Sequence, residues 1–448
     1  MILILMCCFL LATDGGSANP IVSQAPWSKL LQNANAAEDS GDFKAAEQYY
    51  LQAVGAAADG GDPVGHFVVA GELGQFYWKR DNGPAAVTYL RMAVTVVRRI
   101  SPADSQQKGA ALSNLGVVLS DTGSLNEGEE SLLEALRVFQ NLDSHESVAT
   151  TYDSLALVEM YRGKYTVAEE YSKKSLAILK EHGLENLATA RSLLTLARIY
   201  AAVGRTPEAE RILAQSEALF RGSPPSVKAD IIQYRDTKAS LLFAQGRVSE
   251  AERLWKSAIE SARTADPPLI ILDLPYHLAE LYVQTKQYSK AGELLEQLLY
   301  PQAYGSLNAL TRAQVEGKLA FVLMQQHQDQ RAEALFQGAL STMVASPANE
   351  SLAYAFICLR YARLKAQHKD WYEAALYVER GVKIESAVIP RSSAMAEALE
   401  LSAQIYGKLR RRDDAKDCLS RAKAMRAVIE SPPPSSTVDV GALAAEMR

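Results

Sequence analysis

The 448-residue sequence predicts an all-α solenoid of about ten antiparallel helix pairs, and three observations lead there. The first is a period. A small residue recurs at Ala46, Ala86, Gly128, Ala168, Ala209, Ala251, Ala291, Ala332, Ala374 and Ala415, at successive spacings of 40, 42, 40, 41, 42, 40, 41, 42 and 41 residues. The second is a large-then-small pair ahead of most of these positions: Leu73-Gly74, Leu115-Gly116, Leu155-Ala156, Leu196-Ala197, Leu278-Ala279, Leu319-Ala320 and Tyr361-Ala362. The third is a change of apolar stripe inside each unit. Between Ser147 and Lys180, apolar residues at Tyr152, Leu155, Ala156 and Met160 recur at helical spacing and stop at Gly163, and a second stripe begins at Tyr165 and Ala168. Neither helix of such a hairpin can bury its apolar face alone, so the units must stack on copies of themselves.

The chain opens on MILILMCCFLLA, residues 1–12, followed by the small residues Gly16 and Ala18. Twelve residues span about 18 Å as a helix, short of a bilayer core of roughly 30 Å. Residues 1–18 are therefore read as a signal peptide cleaved before Asn19, although no Lys or Arg precedes Lys29. A mistaken start codon or uncleaved anchor and a buried cap are the alternatives.

The repeats occupy residues 19–426, in units near 27–62, 63–101, 102–142, 143–182, 183–223, 224–266, 267–303, 304–345, 346–388 and 389–426. Pro63, Pro102, Pro225, Pro268, Pro347 and Pro390 stand ahead of first helices, where a missing N–H costs nothing. Ser101-Pro102 and Ser346-Pro347 add expected N-caps. Pro275 falls where the seventh first helix should be under way, so that helix starts late or kinks. Beyond residue 426 lies Ser431-Pro432-Pro433-Pro434-Ser435-Ser436, a composition that buries no core, and a disordered tail over 427–448 is expected.

Charged residues make up 22% and the net charge is -5, so nothing points to a nucleic acid partner. Cys358 and Cys418 lie on different units and read as two buried free thiols rather than a disulfide. The six histidines form no HExxH pair, and no phosphate-binding glycine loop or GxSxG elbow occurs. His277, beside Tyr276 and Glu280, reads as a surface or groove residue rather than a base. No enzyme, cofactor or metal is expected, and no stable membrane span after signal removal.

The large-small pairs, with Gly74 to Tyr77, Tyr200 to Gly204, Trp255 to Ile259, Tyr282 to Ala291 and Phe336 to Leu340, resemble the tetratricopeptide repeat family over roughly residues 27–426. The family's usual unit is about 34 residues; units near 41 resemble its long-helix branch, similar to kinesin light chains and the sensor domains of bacterial regulators. The resemblance implies a right-handed superhelix whose concave groove binds protein. Two of the family's grooves do not fit. The carboxylate clamp would need Lys or Arg where Leu31 and Gly71 stand, and an asparagine ladder survives only at Asn114, with Ser154, Thr195, Thr237, His277 and Lys318 elsewhere.

If the large-small pairs point into the stack, helical spacing places a stripe on the concave face. It carries Arg191, Leu194 and Arg198 in unit five, Asp236 in unit six, and Asp273, Tyr276 and Glu280 in unit seven. Phe321 follows in unit eight, and Phe356, Leu359 and Arg363 in unit nine. Alternating sign with interspersed aromatics suits an extended peptide or partner helix. The expectation is a non-catalytic scaffold, exported from a bacterial cell, binding a protein or peptide in that groove; self-association stays open. A cytoplasmic peptide-responsive sensor is the alternative, and an enzyme with a hidden site a distant third.

Overall fold

A computed structural model describes residues 25–430 apart from 81, 163, 185–186, 221–227, 266–270, 300–306, 308, 346–350 and 389–392. The expectations for residues 1–18 and 431–448, and for Pro225, Pro268, Pro347 and Pro390, lie outside the described residues.

Packing divides the chain after Asn349 into two bodies. The described residues of the first form eight helix pairs: α1 (Pro26–Asp39) with α2 (Phe43–Asp59), α3 (Pro63–Lys79) with α4 (Gly83–Ile100), α5 (Gln106–Asp121) with α6 (Leu125–Asn141), and α7 (His145–Tyr161) with α8 (Tyr165–Glu181). Then come α9 (Leu187–Ala202) with α10 (Thr206–Phe220), α11 (Lys228–Ala244) with α12 (Val248–Arg263), α13 (Asp273–Gln284) with α14 (Tyr288–Leu299), and α15 (Ala309–Gln325) with α16 (Asp329–Val344). The second body holds α17 (Leu352–Gln367) with α18 (Trp371–Val388) and α19 (Ser393–Lys408) with α20 (Arg412–Glu430). The fold is all-α, and α20 continues to Glu430, into the stretch expected to be tail.

Helix starts follow local chemistry. Asp62 accepts from the backbone N–H of Val64 and Gly65, both at 3.0 Å, with Pro63 supplying the first helical φ. Pro102 lies ahead of α5 as expected but outside its first turn, because the N-cap is Ser105, accepting from Lys108 N at 3.2 Å. Ser101, the expected cap, instead closes α4, its N–H bonding Val97 O. Pro275 is the third residue of α13, in the first turn, where no intrahelical N–H partner is lost; the helix starts late and has only 12 residues.

All ten pairs turn in the same way. The N–H of the residue before the second helix bonds the carbonyl five residues back, from Asp42 to Ala37 in the first pair through Arg411 to Tyr406 in the last, at 2.7–2.9 Å. This closure requires a left-handed residue in the loop. Gly41, Gly123, Gly204 and Gly246 supply it at no steric cost, while Lys286, His327, Lys369 and Arg410 adopt it with φ of 59–63°.

The periodic small residues are buried from Ala46 to Ala374, and only Ala415, on the last described helix, is half-buried. The tightest approach is between α5 and α6. A Cβ on Gly116 would come within 2.8 Å of Gly128 O, and one on Gly128 within 2.1 Å of Ser120 Oγ, so two facing glycines let the backbones touch. Second helices such as α6 bury one stripe, Gly128, Leu132, Ala135, Leu136, Val138 and Phe139. First helices such as α5 bury most of their faces, because each sits between its partner and the neighbouring pairs.

Neighbouring pairs are also fastened by side chains. Tyr77, Tyr200, Tyr282 and Tyr406, near the ends of first helices, donate their hydroxyls to Glu47, Glu169, Glu252 and Glu379 on the preceding second helices, at 2.8–3.2 Å.

Candidate partner-binding surface

In the first body, side chains of consecutive first helices meet about one period apart. Asp121 at the end of α5 accepts from Trp78 Nε1 of α3 at 3.2 Å and from the Tyr161 hydroxyl of α7 at 3.1 Å. On α11, Asp236 accepts from Trp255 Nε1 of α12 at 2.7 Å and meets His277 Nδ1 of α13 at 2.8 Å. Burial alone would raise the Asp236 carboxyl, but the His277 charge and the two hydrogen bonds hold it below its ordinary value. The same contact acts on His277: burial opposes its charge, and Asp236 overrides that and raises the imidazole. His277 is thus half of an ion pair, which leaves it poorly placed to take a proton from a substrate.

Of the sequence-predicted stripe, Arg191 on α9 is bound to Asp230 of α11, Nη2 to Oδ2 at 2.9 Å and Nε to the two oxygens at 3.2 and 3.3 Å. Asp230 is buried, so this pair joins two neighbouring units more than it offers charge outward. Leu194, predicted to face a groove, is instead buried, in a cluster with Ala197, Leu213 and Tyr234, because that side of α9 packs against its neighbours. Arg198 is half-buried, and among the described residues it makes no hydrogen bond or ion pair; the charges of Asp236 and Asp273 are near enough to act on it. Asp273 opens α13, where an acid complements the helix dipole. Tyr276 lies under Lys318 of α15, whose Nζ is 3.7 Å from the ring centroid, and Lys318 also pairs with Glu280. Phe321 is half-buried on α15.

Phe356, Leu359 and Arg363 belong to α17, in the second body. Phe356 is exposed and Arg363 half-buried, whereas Leu359 packs across α18, where a Cβ on Gly381 would lie 2.6 Å from its Cγ. In the basic run from Lys408 to Arg412, Arg411 pairs with Asp414 and with Glu379 of the preceding unit. Cys358 and Cys418 are free and buried, and burial pushes the Cys358 thiol up to about 12.

Sequence reasoning missed Asp121, Tyr161, Asp230 and the pairing of Lys318. It also missed Asp153 on α7, a buried carboxyl whose Oδ2 accepts from Ser175 at 2.9 Å and from Ser192, while Oδ1 has no partner. The usable signal was polarity inside helices that are otherwise apolar. Among the described residues there is no group of three or more His, Cys, Asp or Glu able to hold a metal, and no helix long and apolar enough to cross a membrane.

Comparison with known proteins agrees with this architecture. Residues 110–315 match the family model described as the MalT-like TPR region, and residues 31–59 match a tetratricopeptide repeat model. Human mitochondrial Tetratricopeptide repeat protein 19 is 25% identical over 244 residues, covering 48% of this chain and 61% of that protein, so the match spans less than two thirds of the relative. Among solved structures, BtubC (BKLC) from P. vanneervenii is 24% identical, covers 52% of this chain and 95% of its own, and has a TM-score of 0.39. Yeast Tom70 is 14% identical, with 89% and 85% covered and a TM-score of 0.42. From the even period, the buried large-small pairs and these family matches together, the chain belongs to the tetratricopeptide repeat family.

Proposed function

We propose that this chain is a non-catalytic scaffold that seats a partner protein or peptide along the inner stripe of its first body, and that it works outside the cytoplasm. The observation that carries the reading is the stripe itself. Arg198, Asp236, Asp273 and Tyr276 stand on three successive first helices, and their supports, His277, Trp255 and Lys318, hold several of them in place. Side chains already fixed by packing lose little entropy when a partner arrives, so a preformed polar groove is suited to binding. Export rests on the apolar run of residues 1–12 with Gly16 and Ala18 behind it.

Crosslinked affinity capture from the source organism tests the scaffold, with a tag after Arg448 and Arg198→Glu as the comparison. One dominant, near-stoichiometric partner that the variant fails to hold is the expected result; an identical partner set with both baits places binding on another face. The native amino terminus tests export, which requires it at Asn19. The match of residues 110–315 to the MalT-like region favours a second reading, a cytoplasmic peptide-responsive sensor, which an intact Met1 would promote.

A further inference from the structure

Second helices repeat their core by position as well as by pattern. Eleven residues after the periodic small residue the chain runs from Ala57, Val97 and Phe139 through Leu179, Phe220 and Ala262 to Met343, and each of these is buried. In unit nine the same position is Glu385, on α18. It continues the buried stripe of Ala374 and Val378 at helical spacing and is itself fully buried. Neither of its carboxyl oxygens has a hydrogen-bonding partner. In such a place an ionised carboxylate costs far more than the protonated acid.

The surroundings do not repair this. The charge that acts on Glu385 is that of Glu397 on the facing α19, and it has the same sign. Toward α17, where a Cβ on Gly381 one turn earlier would lie 3.1 Å from Ala355 O, Ser351 to Ala353 are uncharged and Tyr354 interacts with Cys358 and Arg380. Arg380 and Lys383 on α18 itself are exposed, and Arg426 of α20 is held by Glu400 at 2.7 and 2.9 Å. Burial, with Glu397 behind it, pushes the Glu385 carboxyl from 4.5 up to about 7.

We propose that Glu385 is a proton-operated latch between units nine and ten. Protonated, it is a tolerated core residue, and α18 stays packed on α19 through the apolar cluster that holds Val378, Met395 and Leu399. Ionised, it draws in water, and the end of α18 parts from the start of α19. The carboxyl binds its proton more tightly when packed than when solvated, so closure is favoured in acid, and that contribution is lost as pH rises from about 4.5 through about 7.

The test is amide hydrogen exchange of the full chain from pH 5 to pH 8, read by mass spectrometry and corrected for the pH dependence of the exchange chemistry itself. Peptides from the end of α18 and the start of α19 should open roughly fifty- to a hundredfold more at pH 8 than at pH 5, while α5 and α6 stay level. Glu385→Gln should flatten the profile of α18 and α19 and keep them as protected at pH 8 as the parent is at pH 5. If that variant does not fold, Glu385→Met, which installs the residue of unit eight at this position, should give the same flat profile. A level profile in the parent, a rise that survives either substitution, or an equal rise in α5 and α6 overturns the assignment.

Discussion

Between α7 and α9 two serine hydroxyls hold one oxygen of Asp153 while the other is bare, and burial pushes this carboxyl up from 3.8 to about 7 in spite of those bonds. A group bound more tightly to its proton in the folded state stabilises fully below its unfolded pKa, and that contribution is lost as pH rises through the folded value. Stability should therefore fall between about pH 4 and pH 7, by on the order of 4 kcal/mol for a shift near three units. Urea unfolding of Asp153→Asn across that range checks this: the variant should be flatter with pH and more stable than the parent at pH 8. His277, raised by Asp236, has the same sign in a higher window, so that pair contributes, together with the buried Glu385 carboxyl pushed up to about 7, to a slope that remains in the variant above pH 6.5. At this scale the sequence was partly legible. Helical spacing within α9, α11 and α13 is enough to place Arg198, Asp236, Tyr276 and Glu280 on one side. The partners of Arg191 and Glu280 were not legible, because Asp230 and Lys318 lie 39 and 38 residues away and their approach depends on how one unit is phased against the next.

Turns and helix ends show which local signals decide an element. The left-handed loop position is held by Gly41, Gly123, Gly204 and Gly246 in four of the first six pairs and by Lys286, His327, Lys369 and Arg410 in the last four. A side chain there costs roughly 1 kcal/mol that glycine avoids. Lys369→Gly should therefore stabilise the second body by about that amount, as an increase in its thermal midpoint; no change would mean that the lysine side chain compensates through a contact of its own. The period and the large-small pairs made the helices legible, since each repeat restates the same burial pattern. Ser101-Pro102 misled because a second serine, Ser105, stood four residues on, and α4 reaches Ile100, claiming Ser101 for its own end. Pro275 could be read as a late start or a kink from sequence, and it is the late start because Asp273 opens the helix only two residues before it.

For the whole chain, stability is a sum over units and the contacts between neighbours. The tyrosine-glutamate bonds are part of the second kind. Tyr282→Phe keeps the ring and removes only the hydroxyl that bonds Glu252, so it should cost about 1 kcal/mol and broaden the urea transition as neighbouring units lose coupling. A transition only shifted, with its steepness kept, would show that apolar packing alone joins the units. Each of these tyrosines does two jobs: its backbone carbonyl receives the closing bond of its own turn, and its hydroxyl grips the helix before it. Undoing a turn therefore slackens the earlier unit, whereas loss of the glutamate helix leaves the later turn still tied. At these four turns loop closure and the tie to the earlier unit therefore depend on one residue.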